Sequence, residues 1–226
     1  MSPGGPMNTE SNIPDPTPPA DHFDDIEQQQ HAGLLGMWVF LLTEVLLFGG
    51  LLAAFVICRL RYADAFAGAA EHLDLVLAAV NTALLFTSGL TMVLAELAAG
   101  ARRRGPTIWW LLATAALGTA FLVLKGVEWY GEYKEQLMPV LGLPFVYPGE
   151  EPQLAELFFN LYFVATGLHA AHMLIGLGVL AVMLVLVRGW RRPDRLDRQL
   201  RIAGLYWAFI DVVWIFIFTC FYLLRA

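Results

Sequence analysis

The 226-residue chain is 58% hydrophobic and only 15% charged, with a mean hydropathy of +0.60, an apolar share that excludes an ordinary soluble domain. Its charges cluster between apolar runs of about twenty residues or more, the length that crosses a bilayer as helix, so the expected class is an all-α integral membrane bundle. The net charge of −6 reflects six acids within the first thirty residues, and no nucleic-acid surface is indicated.

Residues 1–32 read as a disordered or extended tail: they contain no Lys or Arg and no apolar core of a signal peptide, and prolines crowd Pro14 to Pro19 ahead of the Gln28 to Gln30 run. Residues 33–226 read as one membrane domain of five helices, at about 33–58, 73–99, 107–133, 154–187 and 202–224. The first carries Glu44 within MWVFLLTEVLLFGG, where an ionised carboxylate costs on the order of 3 kcal/mol. Protonation or a buried partner is the expected escape, and the residues alone leave open whether Glu44 holds a proton or bonds across the bundle.

The second helix carries Asn81, Thr82, Thr87 and Ser88 in VNTALLFTSG, groups that usually join helices. His72, with Glu71 and Asp74, is read as interfacial at its start. On the third, Lys125, Glu128 and Glu132 in LKGVEWYGEYKEQ are read as a solvated ion network on an emerging helix end, with Glu128 counted among the structural intramembrane polar groups. The segment Met138 to Pro152 is too rich in proline to be helical and is expected as a surface loop.

His169 and His172 on the fourth helix are spaced to share a face, and are read as hydrogen-bonded bundle histidines because further metal or heme ligands are lacking. Gly167 with Ala171, and Gly176 with Gly178, predict a close neighbour. In the fifth helix, Asp211 between Trp207 and Trp214 is expected to make a helix-to-helix bond capped by two indoles. Cys58 and Cys220 read as packing residues. Nine basic residues fall on the side of the tail and the second and fourth connections, against five opposite, which predicts a cytoplasmic N-terminus and an outward C-terminus.

The runs GMWVFLLTEVLLFGG, VNTALLFTSG, KGVEWYGEY, FFNLYFVATGLHAAHMLIG and YWAFIDVVWIFIFTCFYL, in this order across 33–226, resemble subunit III of heme-copper oxidases, in its short five-helix bacterial form. The resemblance implies a non-catalytic subunit without heme or copper, which bind in partner subunits. It further implies packing against catalytic subunit I and other oxidase subunits, bound phospholipid, and residence in the bacterial cytoplasmic membrane. Glu44 matches the family's buried carboxyl near the proton-uptake side and near lipid, His169 and His172 match the ATGLH histidines, and Asp211 matches the acid of the last motif. Glu44 preceded by Thr43 resembles cytochrome c oxidases, whereas relatives associated with quinol oxidases and nitric-oxide reductases tend to carry Asp. Ala208 departs from the family's Tyr-Trp-His. The function so implied is support of oxygen reduction to water by a proton-pumping oxidase fed by cytochrome c, with any enzymatic activity belonging to the complex. A quinol-oxidase or nitric-oxide-reductase companion shares the fold. A small proton channel or transporter, or a heme-binding cytochrome using His169 or His172, are readings from other classes; the first and fifth helices lack the proline break expected at a transport site.

Overall fold

The computed structural model describes residues 26–139, 143–189 and 193–224. Within these residues six α-helices follow in order: α1 (Ile26–Arg61), α2 (Ala63–Glu71), α3 (Leu75–Gly100), α4 (Arg104–Lys134), α5 (Pro152–Gly189) and α6 (Pro193–Phe218), the last continued by a π-helical turn, Thr219–Leu223. Among the described residues, five helical stretches are long and apolar enough to cross a membrane: Leu35–Arg61, Leu75–Gly100, Arg104–Lys134, Pro152–Gly189 and Leu196–Leu223. The all-α membrane class and the five spans therefore match the sequence expectation. Short α2 was not foreseen, and the arginine-rich fourth connection is largely the opening of α6. Residues 1–25, most of the expected tail, lie outside the described residues.

The chain divides into two units, Met1–Val39 and Phe40–Ala226. In the first, the described residues open α1, and Leu35, Trp38 and Val39 are exposed. In the second, α3 packs on α4 and α6, and α5 packs on the same two helices, which closes a four-helix ring. The seams follow a repeat of three and four residues. On α4 the buried positions are Thr107, Leu111, Thr114, Gly118, Phe121, Lys125, Glu128 and Glu132. On α3 they include Ala78, Asn81, Leu85, Ser88, Met92, Ala95 and Ala99. Such spacing keeps one stripe on the neighbouring helix over many turns. From Phe40 onward α1 joins by aromatic contacts, with Phe55 against Phe221 at 4.2 Å and Phe48 against His172 at 5.2 Å between ring centroids. Its outward residues Leu42, Val45, Leu46 and Ile57 stay exposed, as lipid-facing positions do.

Helix ends are set locally. Asp74 caps α3 by accepting the Leu77 N–H at 3.0 Å. Arg102 and Gln136 adopt left-handed backbone (φ 56° and 59°), and the N–H groups that follow them, of Arg103 and Leu137, donate to the carbonyls of Ala98 and Glu132. These closures end α3 and α4 without glycine. In the loop after α4, the Val146 N–H donates to the Gln136 carbonyl and the Tyr147 ring lies tilted beside that of His72, centroids 5.3 Å apart, so Val146 and Tyr147 are held at the bundle end.

Candidate functional site

Glu44 meets a partner inside the bundle. Its Oε2 lies 3.0 Å from His172 Nε2, and the two side chains are 14% and 10% exposed. The other ring nitrogen, Nδ1, lies 2.8 Å from the Leu168 carbonyl, which can only accept. Nδ1 therefore carries a hydrogen, and neutral His172 offers Glu44 a bare Nε2. The contact holds one proton in either state: on Glu44, donated to the ring, or on the ring as an imidazolium beside a carboxylate. The Tyr206 hydroxyl fixes this turn of α5 by donating to the His172 carbonyl at 3.1 Å.

His169 does not join this contact. Although three residues from His172, its ring turns between Phe121 (5.6 Å) and Trp214 (5.1 Å), fully buried, with neither nitrogen bonded among the described residues. The expected shared face thus separates into two environments, because three residues on a helix are some 60° short of a full turn. Among the described residues no group of three His, Cys, Asp or Glu side chains could hold a metal ion.

The two indoles beside Asp211 do not cap it, in contrast to the sequence expectation. Trp207 Nε1 donates to Ser88 Oγ at 3.1 Å, and Trp214 Nε1 donates to Thr82 Oγ1 at 3.0 Å. Both hydroxyls in turn donate to carbonyls of their own helix, so each makes one bond along α3 and one across to α6. Asp211 lies against Gly89, where a Cβ would come within 2.5 Å of Oδ2, and its Oδ1 is buried without a hydrogen-bond partner among the described residues. Asn81 is fully buried and likewise unbonded through its amide, so it does not make the interhelical bond expected of it. Thr87 is exposed, and its hydroxyl donates to the Ala83 carbonyl of its own helix. Of the expected close-approach positions, Gly176 packs on Trp207 and Ile210, while Gly167 and Gly178 face open space. Ser88→Ala strands the Trp207 N–H and should cost about 1–3 kcal/mol, read as a lower unfolding temperature of the purified protein.

The ionic residues of α4 are not solvated. Lys125, Glu128 and Glu132 are only 2%, 6% and 5% exposed. Lys125 Nζ donates to Glu128 Oε2 (3.0 Å), to Tyr162 on α5 (2.7 Å) and to Tyr222 in the π-helical turn (2.5 Å). Tyr222 lies 2.5 Å and Tyr162 3.0 Å from Glu128 Oε1, and Tyr162 is 2.8 Å from Glu132 Oε1. The expectation of a water-exposed network fails because these three positions continue the buried stripe of α4. Tyr162 and Tyr222 were missed at the sequence level, since nothing local ties residues so distant in sequence to Lys125.

The chain thus offers two polar centres: a single-proton contact joining α1 to α5, and a five-member ionic cluster joining α4, α5 and the end of α6. The sequence pattern of the family described as cytochrome c oxidase subunit III matches residues 154–225. The chain is similar to the cytochrome c oxidase subunit 3 of Alkalihalophilus pseudofirmus, 35% identical over 190 residues, covering 84% of this chain and 85% of the relative. It is similar to a probable quinol oxidase subunit 3 of Staphylococcus haemolyticus, 31% identical over 206 residues, covering 88% and 94%. It also matches a heme-copper oxidase subunit I+III of Aeropyrum pernix, 32% identical over 196 residues, covering 83% of this chain and 22% of that longer protein.

Proposed function

Since the chain belongs to the subunit III family of heme-copper oxidases, we propose that it is the non-catalytic subunit III of a proton-pumping cytochrome c oxidase in a bacterial cytoplasmic membrane, and that the Glu44–His172 contact supports proton uptake by the complex. The observation that carries the second part is the 3.0 Å contact between Glu44 Oε2 and His172 Nε2, with Nδ1 of the same ring engaged on the Leu168 carbonyl. A purely structural bond at this depth needs no titratable acid. Heme and copper belong to partner subunits, and the partner against which the exposed apolar faces pack is catalytic subunit I; the fused I+III relative supports this pairing. The Thr43–Glu44 pair favours cytochrome c over quinol as the electron source, while the staphylococcal relative supports a quinol oxidase as the second reading.

With the N-terminus in the cytoplasm, as the arginine distribution favours, Arg102, Arg104 and Arg188 lie on the inner face with the opening of α6. Phospholipid lies along the exposed apolar faces, its anionic headgroups drawn to these arginines. Glu44→Gln preserves a donor to Nε2 and the shape of the side chain but cannot release a proton. The variant complex should assemble normally, then turn over more slowly or inactivate earlier during turnover. Unchanged turnover and lifetime would remove Glu44 from the proton route.

A further inference from the structure

The cluster of Lys125, Glu128, Glu132, Tyr162 and Tyr222 brings together one cation and two acids, all buried within the span of α4. Seven contacts of 2.5–3.1 Å join these five groups. With both acids ionised, five hydrogens serve them: three on the ammonium and one on each phenol. The ammonium uses its three on Glu128, Tyr162 and Tyr222. The Tyr222 hydrogen goes to Glu128 Oε1. Tyr162, with a single hydrogen, then faces acceptors on both acids and satisfies only one.

Glu132 is the group left short. Its Oε1 depends on the one Tyr162 hydrogen, and its Oε2 is buried with no hydrogen-bond partner among the described residues. A carboxylate places about half its charge on each oxygen, so an ionised Glu132 would hold negative charge on a dry, unbonded atom, a costly arrangement. A sixth hydrogen on Glu132 Oε1 resolves the count. That hydroxyl donates to the Tyr162 oxygen, whose other lone pair already receives Lys125, and Tyr162 is released to donate to Glu128 Oε1 at 3.0 Å. Six of the seven contacts are then made, Oε2 is left as a carbonyl oxygen, and the cluster is neutral, with Lys125 and ionised Glu128 as the ion pair. The charged groups facing Glu132 are Lys125 and Glu128 on its own helix and Glu135 just beyond it; α5 contributes Tyr162 and the π-helical turn contributes Tyr222.

From this count we infer that the cluster is a second proton-binding site, at the opposite end of the bundle from the arginine-rich connections, in which Glu132 holds an exchangeable proton and Glu128 stays ionised. Such a site would store or pass a proton at that end of the bundle, and it shares no residue with the Glu44–His172 contact.

The test uses the full chain purified with whatever subunits accompany it, as wild type, Glu132→Gln and Glu128→Gln. Infrared difference spectra of wild type minus Glu132→Gln should show the loss of one protonated-carboxyl carbonyl stretch that shifts in deuterated water. Wild type minus Glu128→Gln should instead show loss of a carboxylate stretch. Because Gln matches a neutral acid in shape and charge, Glu132→Gln should assemble at wild-type yield, while Glu128→Gln, which removes the counter-charge of Lys125, should lower the yield several-fold. Loss of a carboxylate band in Glu132→Gln overturns the inference, and so does a collapse of its yield beside an intact Glu128→Gln.

Discussion

Replacing Lys125 by methionine should be among the most damaging single changes in the chain, destabilising it by about 3–5 kcal/mol. Methionine fills the volume of the lysine stem but removes the ammonium that serves Glu128, Tyr162 and Tyr222 together. The Glu128 carboxylate is left with two phenols and no counter-charge at 6% exposure. The loss also unties three elements at once, because Lys125 is the one member of the cluster that donates to side chains of α4, α5 and the π-helical turn. The expected result is a chain degraded or lost from its complex, measured as subunit yield in isolated membranes. The double variant Lys125→Met/Glu128→Gln removes both charges and should recover much of the yield, since a buried pair is costlier to break than to replace. A single variant with wild-type yield and unfolding temperature would mean that the ion pair contributes nothing to folding.

The second large effect is steric. Trp207 on α6 is 1% exposed and fills a slot between Gly118 on α4 and Gly176 on α5. A Cβ on Gly118 would lie 2.8 Å from Trp207 Cη2 and 3.0 Å from Cζ2, and one on Gly176 would lie 3.1 Å from Cζ3. The indole has no room to retreat, since its Nε1 is anchored on Ser88. Gly118→Leu should therefore cost about 1–3 kcal/mol or more through overpacking. Gly126→Leu on the same helix, where nothing lies within 4 Å, should be tolerated. Thermal unfolding of the two variants in detergent separates them: a fall for Gly118→Leu with Gly126→Leu unchanged is expected, and equal behaviour would contradict the slot.

The five spans were legible because hydrophobic length is a local property, and so was the special standing of Glu44, since a lone acid amid leucines and phenylalanines must find a proton or a partner. Its partner could not be read, because His172 is 128 positions away and the spacing of His169 and His172 suggested a common role that their different neighbours divide. The α4 cluster was misread for a different reason. The density of charge in LKGVEWYGEYK looked like a helix leaving the membrane, yet the three-and-four spacing of Thr107, Leu111, Thr114, Gly118 and Phe121 runs unbroken through Lys125, Glu128 and Glu132. Following that stripe past its last apolar member would have placed the three ions indoors. The role of Ser88 as an indole acceptor follows from the same periodicity on α3, whereas Thr82 lies one position beside that stripe, and the unbonded amide of Asn81 has no physical account in the contacts described.

The central claim is that this chain works as a bound, cofactor-free partner of a redox subunit. Gentle solubilisation, capture through a tag at the N-terminus, and a reduced-minus-oxidised spectrum of the captured material test it most directly. The account predicts heme a-type bands and cytochrome c oxidase activity that travel with the chain. A chain captured alone and without colour, from membranes that retain intact oxidase, would contradict it.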